Sequence, residues 1–185
     1  MKKLYHGSIF EFDDIDVNKG RGYKDFGRGF YTTAVASHAE KLALRNKAIA
    51  ERRNVLLDKS KDSSKRIPVV AYRYNYICSE QFENLKVKIF EKADSEWLRF
   101  IIENRLSKDS VHDYDIVIGP TADAETTTII NEYFDELKES GYAEEICQKV
   151  IDELKPENLP KQYFFRTKEA IQTLKSDTIK RQVIN

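Results

Sequence analysis

The sequence predicts an α+β fold, and three observations predict it. A short β-favouring segment opens the chain, a glycine-rich loop follows it, and the amphipathic helical stretches cluster in blocks instead of alternating one by one with strands. The resulting order is strand, glycine loop, helix, strands, helices, strand. With 185 residues, 41% of them hydrophobic, the chain is long enough to bury a core as one domain spanning 1–185, with a helical insertion at about 121–158.

The first strand runs from Leu4 to Ile9, and the acidic, Asn- and Gly-containing stretch after Phe12 ends it in a loop. Four of the seven glycines fall within 20–29, so this backbone must turn tightly or approach something closely. A helix is expected from Ser37, its N-cap, to about Arg53, with Ala39, Leu42, Ala43 and Ile49 on one face and basic residues filling the rest. The stretch Asp58 to Arg66 holds no apolar residue and reads as a solvated loop.

Pro68 opens a strand in IPVVAYRYNYI, and KVKIF is a second short one ending at Phe90. Leu98, Ile101 and Ile102 recur at helical spacing between Asp94 and Leu106. DYDIVIGP is then a short buried strand closed by Gly119 and Pro120. One helix is expected to carry Ile129, Ile130, Tyr133, Phe134 and Leu137 on a single face, and a second Ile146, Val150, Ile151 and Leu154, with Gly141 between them. QYFFRT is expected as the last strand, before a short helix capped by Thr167.

Composition excludes several function classes. Lysine plus arginine and aspartate plus glutamate balance at 31 each, so no overall field draws the molecule to nucleic acid or to a membrane. The two cysteines, Cys78 and Cys147, lie in apolar stretches without paired spacing, which argues against a disulfide framework or a zinc site. His38 and His112 have no ligand spacing with acids or cysteines, so no metal is expected. No apolar run reaches signal-peptide or membrane-span length, and a reducing cytoplasm is the expected compartment.

Three short signatures carry the chemistry: Tyr5-His6-Gly7-Ser8, Gly27-Arg28-Gly29-Phe30-Tyr31-Thr32-Thr33, and Lys161-Gln162-Tyr163-Phe164-Phe165. In this order, and with the Ser37-His38-Ala39 stretch after the second of them, the chain resembles the ADP-ribosyltransferase superfamily, in its diphtheria-toxin and poly(ADP-ribose) polymerase branch. It is more similar still to a bacterial branch with YHGS, DFGxGFYTT and YDIVIGP segments, found here at Tyr5–Ser8, Asp25–Thr33 and Tyr114–Pro120.

The resemblance implies a split β-sheet core with surrounding helices, and a helical insertion before the last strand. It also implies NAD as substrate, with His6, Tyr31 and Gln162 in the place of a His-Tyr-Glu triad. His6 would then bond a ribose hydroxyl of NAD, Gly7 would offer its backbone to the carboxamide, and Tyr31 would stack on the nicotinamide ring. Ser8, Phe26, Gly29 and Thr32 would complete the NAD contacts. Arg21 or Arg28 would pair with the pyrophosphate, since a guanidinium fork matches two phosphate oxygens. Tyr5 and Phe30 are expected to face the core.

The third signature departs from the polymerases, which carry glutamate where this chain has Gln162. Glutamine can bond a ribose hydroxyl but neither accepts a proton nor offers negative charge to an oxocarbenium ion. Chain elongation is therefore not expected. Glu157 and Glu169 are the neighbouring carboxylates, and each has a plainer reading, Glu157 in a proline-flanked loop and Glu169 in a helix first turn. Asp115 is read as fixing a turn, outside the core site.

Three readings stay open on the sequence. The first is a mono-ADP-ribosyltransferase, a toxin-like bacterial component with a protein or nucleic-acid acceptor. A small antitoxin-like protein would dock on its helical insertion. The second is an inactive NAD- or nucleotide-binding module on the same fold. The third is an interaction scaffold in which the aromatic residues are all core, because a lone histidine or tyrosine in a strand is more often structural.

Overall fold

A computed structural model describes residues 1–57, 68–122, 124–154 and 159–185. Its elements are β1 (Lys2–Ser8), β2 (Phe30–Thr33), α1 (Ala36–Leu57), β3 (Ala71–Cys78), β4 (Val87–Ile89), α2 (Ser95–Arg105) and β5 (Ile116–Pro120). These are followed by α3 (Ala124–Glu132), α4 (Phe134–Glu139), α5 (Glu144–Leu154), β6 (Lys161–Phe165), α6 (Lys168–Ile171) and β7 (Leu174–Ile184). The strands make a mixed sheet in the order β4-β5-β6-β2-β1-β3-β7, in which β4 and β5 pair in parallel and the pairs β5/β6, β1/β2, β1/β3 and β3/β7 are antiparallel. The class is α+β. The expected loop over 58–66 and the residue Glu157 lie outside the described residues.

The chain gathers into two compact units, one of residues 1–15, 32–81 and 173–185, the other of 16–31 and 82–172. In the first unit β1 alternates, with Leu4 buried and the opposite face turned to α1. There Gly7 meets the helix backbone so closely that a Cβ would strike the Ala39 carbonyl. This contact explains a correction to the expected α1 face. Ala39 and Ala43 are buried because only small residues fit against β1, whereas Leu42 and Ile49 are 47% and 40% exposed. The helix begins at Ala36, which puts Ser37 inside its first turn instead of at the cap.

The strand β7 was not expected, and QYFFRT is therefore not the last strand. LKSDTIKRQVI reads as polar because β7 is the edge of the sheet, where charged side chains on an exposed strand are the usual protection against further pairing. Its pairing with β3 carries an irregularity between Tyr74 and Tyr76. There the buried Asn75 donates its side-chain amide to the Ile179 carbonyl at 2.5 Å, satisfying a polar group inside the sheet.

The second unit holds a continuous hydrophobic core of Phe26, Phe90, Trp97, Leu98, Ile101, Ile102, Val117, Ile130, Leu137, Val150 and Phe164, among others. The helix α2 forms as its spacing predicts: Asp94 caps it by accepting from the Trp97 N–H at 3.0 Å, and Trp97 donates its indole N–H to the Pro120 carbonyl at 3.0 Å. The expected single helix through Tyr133 is two, α3 and α4, interrupted at Tyr133. Ile130 and Leu137 still point into the core. Gly141 separates α4 from α5 with φ at +62°, a conformation that suits glycine.

Candidate functional site

In the first unit His6 sits mid-strand on β1, paired in register with Tyr74 of β3. Its ring is half-buried, 5.9 Å from Phe12 edge-on and 6.3 Å from Tyr74. Phe12 stacks on Tyr74 at 4.1 Å, and the Tyr74 hydroxyl ties the following loop by accepting from the Phe12 N–H at 2.8 Å and donating to the Phe10 carbonyl at 3.1 Å. His6 is thus held in an aromatic bracket. Ser8 is buried, its hydroxyl accepting from the Phe10 N–H at 2.9 Å, and Thr32 is buried on β2. Tyr5 does not face the core as expected: it is half-buried under the Arg73 guanidinium at 5.4 Å, because it shares the α1 side of β1 with Gly7.

In the second unit the glycine-rich loop is laced to 107–112. The Tyr23 N–H bonds the Ser107 carbonyl at 3.0 Å, the Arg28 N–H bonds the Ser110 hydroxyl at 3.1 Å, and a Cβ on Gly22 would collide with the Lys108 carbonyl. Gly27 has φ at +85°. Gly29 lies against the Phe164 ring and the Phe165 carbonyl, so its missing side chain serves the packing of the loop on β6. His112 closes the lacing by donating Nε2–H to the Phe26 carbonyl at 3.0 Å while Nδ1 accepts from the Tyr114 N–H at 3.2 Å. Burial holds it below the ordinary imidazole range.

Two of the residues expected to contact NAD are engaged inside the protein. Phe26 is fully buried among Phe90, Phe100 and Phe164, where its ring fills the core instead of lining a surface site. Arg28 spends its guanidinium on the Gly20 carbonyl at 3.1 Å, on the Asn18 carbonyl and on Asp109 at 3.6 Å, an internal clamp of the loop. Arg21 is exposed.

Tyr31 and Gln162 lie on the same side of the sheet. Gln162 and Phe164 alternate onto the same side of β6, and the Tyr31 ring lies 4.9 Å from that of Phe164. The Tyr31 hydroxyl donates to the Gly27 carbonyl at 2.7 Å and accepts from the Phe26 N–H at 3.1 Å, which turns the glycine loop back onto its own strand. Burial, with the Asp25 charge adding to it, pushes this phenol well above its ordinary range. Tyr31 is therefore a neutral ring at physiological pH and no base.

The residue that sequence reasoning missed is Asp25. Its carboxylate accepts from the Gln162 amide nitrogen at 2.9 Å, the Ala122 N–H at 3.0 Å, and two nitrogens of Arg105 at 2.9 and 2.8 Å. Arg105 completes the ring by donating to the Ala122 carbonyl at 3.2 Å. Asp25 falls inside the DFGxGFYTT segment, so its position was visible, but its partners at Arg105 and Gln162 were not. Asp115 accepts from the Lys86 N–H at 2.9 Å, a bond between the starts of β4 and β5 and not the turn expected of it. Glu169 stands in the first turn of α6, which Thr167 caps by accepting from the Ala170 N–H at 3.2 Å.

Among the described residues no cluster of three or more His, Cys, Asp or Glu side chains could hold a metal ion, and no helix is long and apolar enough to cross a membrane. The family model described as "Protein of unknown function (DUF3990)" matches residues 2–176. No curated protein and no solved structure matches the chain.

Proposed function

The chain belongs to the DUF3990 family, and from that premise we propose that it is an NAD-dependent mono-ADP-ribosyltransferase acting on a macromolecular acceptor. The observation that supports this reading is that Tyr31, from one signature, packs on Phe164 of β6, two positions along the strand from Gln162 of another, while Gln162 bonds Asp25. The reading assigns the nicotinamide ring to Tyr31 and a ribose hydroxyl to the Gln162 amide oxygen.

In the proposed reaction the bond between ribose C1′ and the nicotinamide nitrogen breaks and its electron pair leaves with neutral nicotinamide. A nucleophile on the acceptor then bonds C1′ and its proton passes to solvent. The transition state resembles an oxocarbenium ion, as in glycoside cleavage. Gln162 offers it a dipole and no charge. Rate enhancement must then come chiefly from holding the ring and ribose in line, and the acceptor must bring a good nucleophile. Transfer of single units follows, because a second ribose hydroxyl would need deprotonation by a carboxylate that Gln162 does not supply. A toxin-like role with a small neutralising partner belongs to the same reading.

The test is release of nicotinamide from NAD with purified protein and cell extract as acceptor source. Wild type releases it, and Gln162→Ala reduces the rate by about tenfold for one lost ribose bond. Tyr31→Phe keeps the ring and loses only the loop bonds, so it retains most activity, whereas Tyr31→Ala abolishes it. No release with any acceptor source defeats the proposal.

The neutral Gln162 favours one second reading, an NAD-binding module without turnover. Calorimetric binding of NAD, with no label transferred to any acceptor, would select it.

A further inference from the structure

We infer that Asp25 is a positioning residue: it holds the Gln162 side chain by its nitrogen and so fixes which way round the amide stands, with its oxygen as the acceptor offered to a ligand. The identity of that ligand as the ribose of NAD rests on the function proposed above. The positioning itself does not.

An amide side chain can be turned either way round, and the two ways offer opposite chemistry, a donor or an acceptor. Here the choice is made by charge. The Asp25 carboxylate accepts and cannot donate beside an arginine, so only the Gln162 nitrogen can stand 2.9 Å from it. The other acceptor positions of Asp25 are filled by Arg105 and the Ala122 N–H, so its bonds all go to protein groups. Asp25 therefore acts through Gln162. The Gln162 oxygen can receive a donor, such as a sugar hydroxyl.

The same geometry gives a reason for glutamine at this position. A glutamate would set a second carboxylate against Asp25, and two like charges at this distance cannot both stay ionised without cost. Glutamine keeps the acceptor and removes the repulsion.

Two measurements test the inference. The first is the side-chain amide proton signals of Gln162 by NMR in the absence of NAD, identified by their loss in Gln162→Ala. Bonded to a carboxylate they should exchange slowly with solvent in wild type. Asp25→Ala should release them. Because Asp25→Ala strands Arg105, the paired variant Asp25→Ala with Arg105→Met, which removes both charges, is measured beside it.

The second is a cycle of NAD dissociation constants by calorimetry. The paired variant should weaken binding by about tenfold when Gln162 is present and leave it unchanged when Gln162 is already alanine. An equal loss in both backgrounds, or Gln162 amide protons that exchange no faster once Asp25 is gone, overturns the inference. If wild type gives no heat with NAD, the functional reading fails instead, and the amide protons still decide whether Asp25 orients Gln162.

Discussion

Each unit contains a half-buried arginine clasp, and the two clasps end differently. In the first unit Arg73 on β3 bonds Glu40 of α1, Gln182 of β7 and, at 2.9 Å, the Asn75 side chain, while its face covers Tyr5. In the second, Arg105 at the end of α2 bonds Asp25 and the Ala122 carbonyl, and Asp25 in turn holds Gln162. The Arg73 clasp distributes one cation over three side-chain partners from three elements, so it ties helix to sheet. The Arg105 clasp concentrates its charge on a single carboxylate whose last acceptor position goes to a glutamine. One clasp is a fastener, and the other is the support of a presented side chain.

The largest effect should come from breaking the concentrated clasp. Side chains of Arg105 and Asp25 are only 20% and 12% exposed, so Asp25→Ala should cost about 3 kcal/mol or more by leaving the guanidinium unpaired. Glu40→Ala in the other clasp should cost about 1 kcal/mol, since Arg73 keeps Asn75 and Gln182. Urea midpoints of the two variants measure the difference directly.

An added carboxylate should sharpen the contrast. Gln182→Glu places a negative charge beside Arg73 and should change stability by less than about 0.5 kcal/mol. Gln162→Glu places one against Asp25 and raises the new group above the ordinary glutamate range of roughly 4.3. Its protonated form then suits the fold. The variant should match wild type in acid and lose about 1 to 2 kcal/mol relative to it as pH rises through the folded value. Melting curves between pH 4 and 8 read both variants.

The smallest effect belongs to His112, which laces the loop that carries Asp25. Its folded-state value lies below the ordinary 6.5, so the unfolded chain binds its proton first as pH falls. The stability it contributes is complete above about pH 6.5 and is lost on going lower, toward the folded value. His112→Gln should flatten that part of the pH profile of the melting temperature.

Segments whose apolar residues repeat over one or two turns were legible from the sequence alone. The α2 pattern of Leu98, Ile101 and Ile102, the buried run of β5, and the Thr167 cap are all short-range facts, and all formed as read. The Leu42 and Ile49 side chains were misread because periodicity gives a helix a stripe but not the width of its contact. That width was decided by Gly7 opposite Ala39. The strand β7 was invisible because its polar residues satisfy an edge, and an edge exists only once the sheet is assembled.

The candidate site divides along the same line. Sequence by itself determined the α+β class and which residue types stand in the three signatures, a neutral glutamine at 162 among them. Only the tertiary structure decided that Phe26 is core, that Arg28 is spent on its own loop, and that Asp25 meets a glutamine 137 positions away. The physical reason is range. Propensity and capping act within a few residues, whereas a carboxylate's partners are chosen by which backbones the sheet and core bring within three ångströms of it.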